Sequence, residues 1–175
     1  MQINYVKGDL FQLYPKDRKV VIAHCCNCKG GFGSGFVIPL KQHFPIVAER
    51  YLSMFPAKRD IMGYTQWVYI NEHLTVANMV AQTLGGVRPL NYYALAKAMQ
   101  DVVHENEYVP FEIHAPMFGS ALAGGNWNFV EELIRDIWLT NNIPVTIYWR
   151  DDNIPEIVQR ELNENELLPD KELLK

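Results

Sequence analysis

The residues with the most chemistry per unit length lie in one stretch, Ala23-His24-Cys25-Cys26-Asn27-Cys28-Lys29-Gly30-Gly31-Phe32-Gly33-Ser34-Gly35-Phe36. An imidazole titrating near neutrality can take a proton from water or give one to a leaving group, which makes His24 a candidate acid–base group. The glycines let backbone N–H groups approach a ligand closely. Free N–H groups at a helix start carry partial positive charge, so phosphate oxygens can be held there without basic side chains. The spacing is not G-x-G-x-x-G and no G-K-[ST] follows, so neither a nicotinamide-type site nor a P-loop is indicated. The plainer alternative is a tight turn that packs a helix against a strand.

A second stretch, Pro116-Met117-Phe118-Gly119-Ser120-Ala121-Leu122-Ala123-Gly124-Gly125-Asn126-Trp127, repeats the layout of strand, small residues and helix. Two amide-rich loops imply two anions. If their strands are neighbours, the loops face one another at the carboxyl edge of an open α/β sheet, and a diphosphate suits the gap. In Lys7-Gly8-Asp9-Leu10 an acceptor carboxylate beside exposed backbone could select an exocyclic amine, with adenine the obvious candidate. A helix N-cap is the commoner use of such an Asp. No metal is expected: His24, Cys25, Cys26 and Cys28 form one crowded cluster with no second pair of ligands, unlike a structural zinc site. Cys25 and Cys28 read as packing residues, with Cys26 lending backbone to the ligand loop.

The elements that must position these loops follow from periodicity. Strands are expected over residues 2–6, 20–23, 111–115 and 145–149. An antiparallel pair over 66–70 and 75–80 is joined by Asn71-Glu72-His73, so the sheet should be mixed. Helices are expected over 36–54, with Pro39 in the first turn, over 91–107 and over 126–140. The order is α/β. Beyond Arg150 the chain turns acidic, which suggests an appendage at 151–175 with a surface helix over 154–168, outside a main domain at 1–150.

A chain of 175 residues fits one such domain, and 49% hydrophobic residues suffice for its core. The 16 Lys and Arg against 20 Asp and Glu leave a net charge of -4, which argues against a broad nucleic-acid surface, so a phosphate ligand must be held by local geometry. The polar N-terminus, the lack of a bilayer-length apolar run and the odd cysteine count together suggest a cytoplasmic monomer that meets no membrane. His43, His73 and His104 are expected to face solvent and His114 to be a hydrogen-bonded strand residue. Trp127, Phe129 and Trp138 read as the packed face of a helix.

Taken in order, Val6-Lys7-Gly8-Asp9-Leu10, His24-Cys25-Cys26-Asn27-Cys28, Gly33-Ser34-Gly35, Asn78-Met79-Val80-Ala81-Gln82 and Gly119-Ser120-Ala121-Leu122-Ala123-Gly124-Gly125 resemble a macrodomain over residues 1–150. The resemblance is greatest to the branch of ADP-ribose-1″-phosphate phosphatases and terminal ADP-ribose glutamate hydrolases. It implies a three-layer α/β/α fold with a mixed central sheet and ADP-ribose lying across its crest. Gly8, Asp9 and Leu10 would then meet the adenine, with Trp149 or Tyr148 covering its face. Gly33, Ser34, Gly35 and Phe36 would line the diphosphate and distal ribose, and Gly119, Ser120, Ala121, Leu122 and Ala123 would close the other side.

The resemblance further implies that His24 and Asn27, the latter near the distal ribose, carry removal of the 1″-phosphate without a cofactor. The glutamate-hydrolase type needs a lysine nucleophile and an aspartate just after the Gly-x-Gly-Leu of its second loop. Here that position is Ala123, and no lysine lies between Lys58 and Lys97, so that mechanism is not carried over. The alternatives are a non-catalytic reader of ADP-ribose or ADP-ribosylated proteins, a de-ADP-ribosylating hydrolase with a non-lysine mechanism, and a deacylase of another small nucleotide.

Overall fold

Strand β2 (Val20–Asn27) runs through the middle of the molecule with a buried, β-branched start and polar residues at its end. Its neighbours explain that composition. It pairs in parallel with β4 (Leu74–Gln82) on one side and β5 (Glu112–Pro116) on the other, so both its faces need cover. The computed structural model describes residues 1–55, 60–150 and 154–160. With β1 (Asn4–Lys7), β3 (Thr65–Asn71) and β6 (Val145–Trp149), the sheet has the order β1-β6-β5-β2-β4-β3. Only β3 is antiparallel to its neighbour, so the sheet is mixed, as the strand pattern around Asn71-Glu72-His73 indicated.

Alternate residues of each strand feed two cores. Val21, Ala23, Ala77, Met79, Ile113 and Ile147 pack against α4 (Tyr92–Tyr108) and α5 (Trp127–Leu133) with its π-helical continuation Ile134–Leu139. Val20, Ile22, Cys26, Val76 and Val80 pack against α1 (Leu10–Leu13), α2 (Val37–His43) and α3 (Pro45–Leu52). The result is three layers, α/β/α. No helix among the described residues is long and apolar enough to cross a membrane.

Three expectations need correction. The strand at 20–23 continues to Asn27, because β4 remains beside it up to the Asn27–Gln82 pair; His24, Cys25 and Cys26 are therefore strand residues, not loop residues. The helix expected over 36–54 is two helices broken at Phe44 (φ -136°, ψ 77°). Pro45 follows it, and a residue before proline is pushed out of the helical region. Of the helix expected over 154–168, residues 156–160 are helical and the remainder lies outside the described residues.

Candidate functional site

Parallel pairing brings the carboxyl ends of β5, β2 and β4 side by side, and the loop leaving each end lines one cleft of about 270 Å³. The two glycine loops do face one another, nearly touching at Gly35, where an added Cβ would lie 3.4 Å from Leu122 Cδ1. Ser34, Gly35 and Phe36 line one wall, and Gly119, Ser120, Ala121, Leu122 and Ala123 the other. Gly33 is exposed and outside the lining. Among the described residues no acceptor pairs with the N–H groups of Ser34, Gly35 and Phe36, or with those of Ser120, Ala121 and Leu122. Ala121 holds φ 52°, a left-handed conformation unusual for a residue with a Cβ, and such strain concentrates at ligand loops. The cleft is thus walled by unpaired amides, and no Asp, Glu, Lys or Arg among the described residues lines it.

The third wall escaped sequence reasoning. Gln82, Thr83, Leu84, Gly85 and Pro89 line the cleft from the β4–α4 connection. This connection braces the second loop: Leu90 N–H donates to Ala123 O at 3.1 Å, and a Cβ on Gly124 would come within 2.7 Å of Val87 O. The signal was present in Gln82-Thr83-Leu84-Gly85-Gly86, a strand end and a glycine pair ahead of an Asn-capped helix.

His24 forms the floor of the cleft. It is 1% exposed, with its ring packed near Phe32 and Phe36. Asn78 lies beside it in the sheet, and its Nδ2 donates to Gln66 Oε1 at 2.9 Å. That orients Oδ1 toward His24 Nε2 at 2.6 Å, so the ring proton sits on Nε2 and is committed to Asn78. Burial pushes the imidazole down to about 4, so it is neutral at pH 7 and has no further proton to give.

Asn27 is equally occupied. Its Oδ1 accepts from Lys29 N–H at 2.9 Å and Gly31 N–H at 3.0 Å, while Nδ2 donates to Gly31 O at 2.6 Å. Tyr51 Oη–H donates to the Asn27 carbonyl. Asn27 therefore staples the turn ahead of the first glycine loop, with one amide proton left for a ligand. Cys25 and Cys28 do pack against the cores, but strand alternation puts Cys26, expected in the ligand loop, inside the core as well. Cys26 is buried in the core near His24, and Cys25 lines the cleft, its thiol beside Gln82 and held protonated by burial.

Farther along the crest, Gly8 N–H donates to Trp149 O at 2.9 Å, which sets Gly8, Asp9 and Leu10 beside the end of β6. Asp9, an exposed residue, is the N-cap of α1, its Oδ1 accepting from Phe11 N–H at 2.9 Å, the commoner use of such an Asp. The Leu10 side chain is 3% exposed in the core, so it can offer a ligand its backbone amide and not a hydrophobic surface. Tyr148 is not available to cover a ring, since its hydroxyl lies 2.8 Å from His114 Nδ1 in the core. Trp149 ends β6 and is itself 7% exposed, with Lys7 Nζ 5.6 Å from its ring centre.

Fold and cleft together define a three-layer α/β/α domain open to a ligand at the carboxyl edge of a mixed sheet. No family model matches the chain. It is, however, 34% identical to a macrodomain protein from Streptomyces coelicolor, whose solved structure it matches with a TM-score of 0.73 over 85% of this chain and 99% of that one. The chain belongs to the macrodomain family. It is also 31% identical to a solved protein of unknown function from Bacteroides thetaiotaomicron, with a TM-score of 0.79 over 85% of this chain and 98% of that one. Among curated relatives, the ADP-ribose 1″-phosphate phosphatase of Debaryomyces hansenii is 20% identical over 178 residues, spanning 83% of this chain and 98% of the relative.

Proposed function

We propose that this chain binds ADP-ribose along its crest, with the adenine at Asp9 and Trp149 and the diphosphate between the two glycine loops. The observation that carries the reading is the cleft wall itself: unpaired amides from both loops face a space with no charged side chain lining it. A diphosphate can replace the water on those amides without the cost of stripping a buried cation. Membership of the macrodomain family supports the same ligand.

Asp9→Asn tests it. Asparagine also caps helices, so thermal stability is expected to stay within about 0.5 kcal/mol of wild type. Removing the charged acceptor is expected to weaken ADP-ribose by about ten-fold or more in calorimetry, and to erase discrimination between ADP-ribose and its inosine analogue. Unchanged affinity and selectivity would place the adenine elsewhere.

The finer reading is hydrolysis of ADP-ribose 1″-phosphate, supported by the name and full-length alignment of the Debaryomyces hansenii relative. In this cleft the loop amides would stabilise the charge developing on the phosphate. The protein is to be incubated with ADP-ribose 1″-phosphate and, in parallel, an ADP-ribosylated protein, both with chelator, following free phosphate and released ADP-ribose. Phosphate release supports the phosphatase. ADP-ribose release points to a de-ADP-ribosylating hydrolase without a lysine nucleophile. Release of neither, with ADP-ribose still bound, makes the chain a reader of ADP-ribose or of proteins that carry it.

A further inference from the structure

At the opposite edge of the sheet from the crest, a second cavity of about 260 Å³ opens beneath the C-terminal end of α4, and nothing in the crest chemistry uses it. Its walls are aromatic. Trp67 and Tyr69 share one face of β3 by strand alternation, and Phe111 stands across from Trp67 with ring centres 6.2 Å apart and planes tilted by 54°. Tyr69 is 69% exposed, a large surface for a ring to leave in water. Two carboxylates, Glu72 and Glu105, border the space.

The electrostatics of α4 point the same way. Its 17 residues end with no basic side chain in the last turn, which instead carries Glu105 and Glu107. Carboxylates at the carbonyl end of a helix are unfavourable, and a cation there is favoured. Lys19 and His73 also line the cavity, His73 Nε2 lying 3.6 Å from Glu72. Tilted aromatic faces, a helix C-terminus with no basic residue in its last turn and a bordering carboxylate are elements that recognise an organic cation.

We propose that this cavity binds an alkylammonium group carried on an apolar stem, the head held over Trp67 and Tyr69 near Glu105 and the stem against Phe111. The site is independent of the crest cleft.

The test titrates the full chain with choline chloride and, separately, with 3,3-dimethylbutan-1-ol, which has the same shape without the charge. The Trp67 indole N–H and the crest amides are followed by NMR against a sodium chloride blank. Choline is expected to shift the Trp67 signal saturably and about ten-fold more tightly than the neutral alcohol. Tyr69→Ala, at an exposed edge-strand position that the fold tolerates, should weaken choline at least about five-fold and leave ADP-ribose titration unchanged. Glu105→Gln should weaken choline and Lys19→Gln should strengthen it. An apolar slot would show neither sign.

Equal binding of the alcohol would overturn the proposal, as would charge variants that move together or no saturable shift up to about 100 mM choline. An end-blocked Gly-Gly-Lys-Gly-Gly peptide run in parallel distinguishes the source: tighter binding than choline indicates a polypeptide side chain, weaker binding a free amine, and both outcomes support the cavity as a cation site.

Discussion

Gly125→Ala is expected to lose ADP-ribose binding and to unfold about 6–12 °C below wild type, corresponding to about 3 kcal/mol. The second loop closes on itself at this residue: Gly125 N–H donates to Gly119 O at 3.0 Å, and the same oxygen lies 2.2 Å from where an alanine Cβ would sit. The far side offers no relief, since Leu90 Cδ2 is 2.4 Å from the same point. One contact is backbone and the other is a core residue, so the loop must open, and opening it withdraws the Ser120, Ala121 and Leu122 amides from the cleft. Gly33→Ala is the matched control. Nothing lies within 4 Å of its added Cβ, so its melting temperature should match wild type. A Gly125→Ala protein with wild-type melting and ADP-ribose affinity would show that the pinched loop does not shape the site.

The comparison of these two glycines shows what the sequence discloses and what it hides. Both sit in glycine-rich stretches between a strand and a helix, and that layout sufficed to place two loops at one sheet edge. Which glycine is indispensable depends on the backbone that crosses it in space, and Gly119 O and Val87 O cannot be read from spacing. The third wall at Thr83-Leu84-Gly85 was overlooked for a related reason: it holds one glycine and no cysteine or histidine to draw attention, yet β4 delivers it beside β2 as surely as β5 delivers the second loop. The antiparallel β3–β4 pair was legible because alternation and a short polar turn are local. The break at Pro45 was also local and was hidden by apolar spacing that runs on through it, although the pre-proline restriction overrides periodicity. The extent of β2 was not local: it is set by how far β4 accompanies it, and that decided which cysteine faces the cleft and which enters the core.

Lowering the pH is expected to destabilise the protein through His24, and His24→Gln is expected to remove that part of the loss. Burial holds the imidazole at about 4 in the folded chain against its ordinary 6.5. Between those values the unfolded chain binds the proton and the folded chain does not. Stability therefore rises with pH across that window, is fully present above it, and falls by about 3 kcal/mol as pH drops through it. His114 adds to the loss with the same sign, since burial lowers it too, so the His24→Gln variant should retain part of the wild-type slope. Glutamine can place an N–H donor near Nε2 for Asn78 Oδ1 and has no proton to gain. Denaturant unfolding of both proteins at intervals from about pH 7.5 to 4 measures the difference, and a His24→Gln protein that kept the whole wild-type slope would refute the assignment. The same experiment bears on catalysis. A general acid with an ordinary imidazole pKa would give any phosphate-releasing activity a limb near 6.5; a floor histidine held near 4 predicts none there, so a rate that titrates at 6.5 in wild type and not in His24→Gln would assign the proton transfer to His24.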